Sequence, residues 1–63
     1  MEQKCKMCMQ FFVGNHYRVI KADGSVLEFQ FIGGDPPNVF LRSGGTMTLE
    51  NAIANFIEVH QID

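Results

Sequence analysis

Turn-forming residues divide this chain into short apolar runs, and they constrain the fold more than any other feature. Asp23-Gly24 lies between two such runs, at residues 17–21 and 26–32. An Asp-Gly pair in that position is typical of a tight β-hairpin turn. The sequence therefore predicts two antiparallel strands joined at residues 22–25.

A second turn region follows at residues 33–38, where Gly33-Gly34 precedes Pro36-Pro37. The prolines have no amide proton to donate, so this segment cannot be a helix or a central strand. Residues 39–42 then form a third, shorter strand, which gives a strand meander over residues 16–42. Gly14-Asn15 marks an earlier turn, and the apolar residues before it predict an N-terminal strand within residues 1–13.

The end of the chain has the spacing of an amphipathic helix. Its apolar residues recur at helical intervals: Ala52, Ile53, Phe56, Ile57 and Val59. Thr48 stands where an N-cap belongs, and we expect a helix over residues 48–61. The predicted fold class is α+β, with 1–63 as a single domain: a small antiparallel three- to four-stranded meander packed on one C-terminal amphipathic helix.

A helix of this size covers one face of a sheet and leaves the other open. We expect it to cover the strand face that carries Leu27, Phe29 and Phe31. The opposite face keeps a set of apolar side chains that would suit an oligomer interface: Ile20, Val26, Ile32 and Phe40. This predicts a homo-oligomer. In the alternative, residues 7–13 fold back over that face and close a monomeric barrel.

Charge and composition narrow the functional class. The net charge is −2, with basic residues concentrated in the first third and acidic residues after it. An acidic balance argues against a nucleic-acid binder. No apolar run approaches the roughly 18 residues of a membrane span, and the first residues do not form a signal peptide. The sequence therefore predicts a cytoplasmic protein that does not enter a membrane.

Cys5 and Cys8 have the spacing of two metal ligands. Two thiolates can bind zinc, but a structural site needs four ligands. His16 and His60, or the cysteines of a second chain, would have to complete it. The alternative is that both cysteines are small reduced apolar residues and that the protein has no cofactor.

The loop before the predicted helix has the composition of an anion site. Its residues are Arg42, Ser43, Gly44, Gly45 and Thr46. Converging glycine amides at a helix N-terminus, with an arginine beside them, can bind a phosphate or a nucleotide. The alternative is an ordinary connection whose glycines serve the turn.

The sequence contains no recognisable catalytic set. Glu58 and His60 are two residues apart, so on a helix they would face different ways. We therefore predict a non-enzymatic oligomeric module that acts through protein–protein contacts, as a regulator or an inhibitor of a partner protein. The alternatives are a binder of a small anionic ligand at residues 42–46, a zinc-stapled structural domain, and an accessory subunit of an enzyme.

Overall fold

Five strands form one antiparallel sheet in the computed structural model, which describes residues 10–62. The strands are β1 (His16–Lys21), β2 (Val26–Gly33), β3 (Asn38–Leu41), β4 (Thr46–Thr48) and β5 (Phe56–Gln61), and a short helix, α1 (Leu49–Ala52), precedes β5. Their order in the sheet is β4-β3-β2-β1-β5. The first four strands are a meander, and β5 crosses the molecule to pair with β1.

The predicted hairpin between β1 and β2 is confirmed. The register pairs Arg18 with Glu28 and Ile20 with Val26. In the turn, Asp23 Oδ1 accepts a hydrogen bond of 2.9 Å from the Ser25 amide. Gly24 adopts a φ of 90°, which suits glycine because other residues meet a steric penalty there. The local sequence thus determines this turn.

The predicted helix over residues 48–61 is wrong, and with it the packing of a meander on a C-terminal helix. Thr48 does cap a helix, since its Oγ1 accepts a hydrogen bond of 3.2 Å from the Asn51 amide. That helix ends after four residues, and Asn55 then takes a left-handed φ of 61°. The chain continues as β5, which bonds to the free edge of β1 and places Val59 opposite Val19.

Competition between local and long-range structure explains this error. A short apolar run fits a helical period and a strand alternation about equally well. Phe56, Ile57 and Val59 are aromatic or β-branched and pack well on a pleated sheet. Pairing with β1 also satisfies backbone groups along a whole strand edge, which an isolated helix would leave to solvent.

The core lies on one side of the sheet. Its fully buried members come from β1, β2, β3 and the region of α1: Tyr17, Val19, Phe29, Val39, Ala52 and Ile53. Met47 of β4 and Val59 of β5 pack against the same cluster. Since both outermost described strands reach one core, the sheet curves around it. The curved sheet and α1 together replace the long helix that we expected to cover Phe29.

The strand predicted within residues 1–13 is absent from residues 10–13, the part of that range that the structure describes. Residues 10–13 are irregular, and residues 1–9, with Cys5 and Cys8, lie outside the described range. The Phe11 ring packs edge-to-face on Tyr17 with centroids 4.8 Å apart. The Tyr17 hydroxyl accepts a hydrogen bond of 2.9 Å from the Phe12 amide. Phe11 therefore extends the core. Among residues 10–62, no helix is long and apolar enough to cross a bilayer.

Candidate functional site on the outer face of the sheet

The side chains that point away from the core form a surface that we call the outer face. Alternation along a strand assigns its members, because Tyr17 and Val19 are buried and their neighbours must point outward. The same alternation and the register define the rest of the outer face: His16, Arg18, Ile20, Val26, Glu28, Gln30, Ile32, Phe40, Glu58 and His60, with Arg42 and Ile62 at the strand ends.

A charged row crosses the middle of the outer face. Arg18 of β1 lies between Glu28 of β2 and His60 of β5 in the register. The Arg42 amide donates to the Glu28 carbonyl at 3.0 Å, which extends the row to the end of β3. One row of neighbouring positions thus carries, in order, His60, Arg18, Glu28 and Arg42.

Glu28 is held by both arginines of this row. Its Oε2 accepts a 2.8 Å hydrogen bond from Arg18 Nε, and its Oε1 accepts one of 2.8 Å from Arg42 Nη1. The hydrogen bond from Arg18, followed by that from Arg42, lowers the pKa of Glu28 below its ordinary value. The carboxylate is therefore ionised at neutral pH, and it fixes two guanidinium groups on the surface.

Arg42 is the more accessible of the two arginines. Its side chain is 80% exposed, whereas that of Arg18 is 46% exposed. A guanidinium has five N–H donors, and within residues 10–62 Arg42 donates one of them to Glu28. Its remaining donors face solvent and can receive a further carboxylate.

Apolar side chains flank the charged row. Val26, Ile32 and Phe40 are exposed by 56%, 45% and 47%, and Ile20 is half-buried opposite Val26. The structure thus places all four residues of the predicted interface on one face. Sequence reasoning missed Ile62, whose amide donates to the His16 carbonyl at 2.9 Å and continues the pairing of β5. The helical pattern predicted for residues 48–61 gave no indication that Ile62 lies on the outer face.

A groove of ≈ 310 Å³ lies on this face beside the charged row. Phe40 and Ile62 contribute apolar walls, and His16 and Gln30, which are opposite one another in the register, lie between them. Glu28 and Arg42 line the end of the groove that meets the charged row. The Gln30 side chain is oriented by a 3.1 Å hydrogen bond from Nε2 to the Gly14 carbonyl. The groove can therefore receive an apolar side chain next to fixed polar groups.

The loop predicted to bind an anion has a different position from the expected one. Residues 42–45 form the β3–β4 turn, in which the Leu41 amide donates to the Gly45 carbonyl at 2.9 Å. Thr46 opens β4, and α1 begins only at Leu49. The expected junction with a helix N-terminus is therefore wrong. Arg42 turns instead toward Glu28 on the outer face.

Glu58 and His60 are brought together because β5 is a strand. Alternate residues of a strand share a face, and His60 Nε2 lies 2.8 Å from Glu58 Oε1. The expectation that they face different ways depended on a helix and is wrong. Their side chains are about half exposed at the edge of the outer face.

The predicted zinc ligands Cys5 and Cys8 are not among the residues that the structure describes, so the zinc site stays a prediction. Within residues 10–62, no three His, Cys, Asp or Glu side chains form a group suited to a metal ion. His60 instead contacts Glu58.

Comparison with protein-family models, with curated proteins and with solved structures gives no match for this chain.

Proposed function

We propose that the protein is a small, non-enzymatic binding module that contacts other protein chains through the outer face of its sheet. One observation carries the proposal: exposed apolar side chains of β2 and β3 lie beside the Arg18–Glu28–Arg42 network on the same face. A regulator or an inhibitor of a partner protein would act in this way.

The composition of the outer face supports a protein contact. Protein interfaces combine an apolar centre with charged and polar side chains around it, and they are enriched in aromatic residues and arginine. Val26, Ile32 and Phe40 supply the apolar surface, while Arg18 and Arg42 supply the guanidinium groups. A 63-residue chain has little surface, so several large apolar side chains exposed on one face are a substantial part of it.

The fixed geometry of the charged groups adds to this support. Arg18 and Arg42 are both oriented by Glu28 before any partner arrives. Ordering a long side chain on binding costs roughly 0.5–1.5 kcal/mol, and preorganisation reduces that cost. The partner surface that fits best presents an apolar side chain to the groove and opposite charges to Arg18 and Glu28. We further propose a cytoplasmic location, since the cysteine pair at positions 5 and 8 suits a reducing compartment.

A pair of charge-introducing variants tests the proposal. Phe40→Asp places a charge among the apolar side chains of the outer face, whereas Ala54→Asp places the same charge in the exposed turn after α1. Complexes formed in cells that make the protein would be measured by quantitative cross-linking mass spectrometry, with light scattering on the purified chain. We expect Ala54→Asp to keep the protein contacts of the wild type and Phe40→Asp to lose them at least tenfold. Contacts that survive Phe40→Asp unchanged, or a wild-type chain that contacts no protein, would contradict the proposal.

A further inference from the structure

We infer that the chain bound by the outer face is a second copy of this protein, related by a two-fold axis that runs parallel to the strands between β1 and β2. The inference rests on the proposed function, because it uses the same face. It is derived from the register of the sheet, which fixes the order of charges across the surface.

A two-fold axis in the plane of a face exchanges positions across the axis. With the axis midway between β1 and β2, Arg18 lies over the partner's Glu28, and Glu28 lies over the partner's Arg18, because these residues are direct neighbours in the register. A symmetric contact is self-complementary when each residue meets its opposite in this way. The central charges of the two copies then attract each other, in addition to the ion pair of 2.8 Å within each copy.

Several other placements of the axis bring like charges together. An axis along β2 places Glu28 over the partner's Glu28, and an axis along β1 places Arg18 over the partner's Arg18. An axis perpendicular to the strands through the charged row repeats both conflicts. Like charges in contact across an interface cost several kcal/mol. An axis between β2 and β3 also pairs opposite charges, Glu28 with the partner's Arg42, but it leaves Ile20 and Ile62 outside the contact. Charge order and apolar contact together therefore select the axis between β1 and β2.

The same axis also brings apolar groups together. Ile20 and Val26 are opposite each other on β1 and β2, so Ile20 of one copy meets the partner's Val26 on one side of the charged row. On the other side, Ile62 approaches the partner's Phe40, and these are the two walls of the groove. Apolar contacts thus lie on both sides of the central charges.

The area of this contact predicts a weak dimer. Four strands from β5 to β3 span about 14 Å at a spacing of about 4.8 Å, and three outward residues along a strand span about the same length. A patch of this size lies below the range for stable specific protein contacts, whose total buried area is about 1,200–2,000 Å². We therefore expect a weak dimer that dissociates on dilution. The net charge of −2 on each copy makes self-association weaker at low ionic strength.

Charge complementation tests whether the charged rows of two copies meet face to face. In an Arg18→Glu dimer, the introduced glutamate would meet the partner's Glu28. In a Glu28→Arg dimer, the introduced arginine would meet the partner's Arg18. In a mixture of the two variants, every such contact pairs opposite charges. We expect sedimentation equilibrium from 1 to 500 μM to show a wild-type dimer, at least tenfold weaker association of each variant alone, and recovery in the mixture. Circular dichroism establishes that both variants are folded.

A second measurement needs no substitution. In a mixture of isotope-labelled and unlabelled wild-type chains, a filtered nuclear Overhauser experiment detects contacts between copies. Contacts from Ile20 to the partner's Val26 and from Ile62 to the partner's Phe40 are expected. A wild-type chain that is monomeric at 500 μM overturns the inference but leaves the proposed function to be tested with other partners. If Phe40→Asp disrupts the dimer, but the mixture shows no recovery and these contacts are not detected, the axis alone is overturned.

Discussion

Phe29 is the residue whose truncation tests the two-faced architecture most directly. Its ring is 1% exposed and packs with Tyr17 and Phe11, at centroid distances of 5.9 and 6.2 Å. Replacing a buried Phe by Ala costs about 3–5 kcal/mol, since the transfer free energy is lost and a cavity remains. A 63-residue domain has a total stability of about 3–9 kcal/mol. Phe29→Ala should therefore be barely folded, and Phe29→Leu should lose about 1–2 kcal/mol.

Phe40→Ala is the matched control, because it makes the same chemical change on the opposite face of the adjacent strand. Phe40 is 47% exposed, so its truncation should cost about 1 kcal/mol or less. Urea unfolding followed by circular dichroism at about 1 μM measures both variants at a concentration where a weak dimer is dissociated. Equal losses for Phe29→Ala and Phe40→Ala would refute the assignment of an inner and an outer face.

Three further changes test individual contacts of the fold. Tyr17→Phe removes the acceptor for the Phe12 amide and should cost about 1 kcal/mol by urea unfolding, with the core otherwise unchanged; an unaltered midpoint would show that the hydroxyl does not hold this segment. The lowered pKa of Glu28 makes its contribution to stability present above the ordinary pKa of glutamate and lost as the pH falls through the lower folded value. Glu28→Gln should therefore flatten the pH dependence of stability below the ordinary pKa, whereas an NMR titration that gives Glu28 an ordinary pKa would contradict the contact with Arg18. Asn55→Ala should lose about 1 kcal/mol because of its φ of 61°, whereas Asn55→Gly should be neutral, and equal thermal midpoints for the two variants would argue against a left-handed residue there.

The parts of the fold that sequence predicted correctly depend on neighbours along the chain. The Asp23-Gly24 turn sets the β1–β2 register, and alternation then separates Phe29 from Glu28 without knowledge of any distant element. This explains why Val26, Ile32 and Phe40 were placed on one exposed face even though the element expected on the other face was wrong. Side-chain alternation depends only on the strand itself, so it was predicted correctly even though the predicted topology was wrong.

The parts that sequence missed depend on contacts between distant segments. Residues 56–61 are far in sequence from the β1 edge with which they pair, and their apolar spacing alone does not distinguish a strand from a helix. The connection of residues 42–45 to a helix was predicted wrongly for the same reason, because the turn leads instead into β4, a strand of three residues. The association of Arg42 with Glu28 required knowledge that β3 lies beside β2.

The position of β5 adds to the reasoning about self-association. Under the predicted fold, the hairpin already placed Arg18 beside Glu28, but no strand lay on the other side of β1. With β5 beside β1, the charged row runs from His60 through Arg18 and Glu28 to Arg42. Arg18 and Glu28 are adjacent and of opposite sign at the centre of this row, so a two-fold axis between them satisfies both, and an axis through either does not. The confirmed hairpin therefore sets the central charges of the proposed dimer, and β5 adds Ile62, which meets the partner's Phe40.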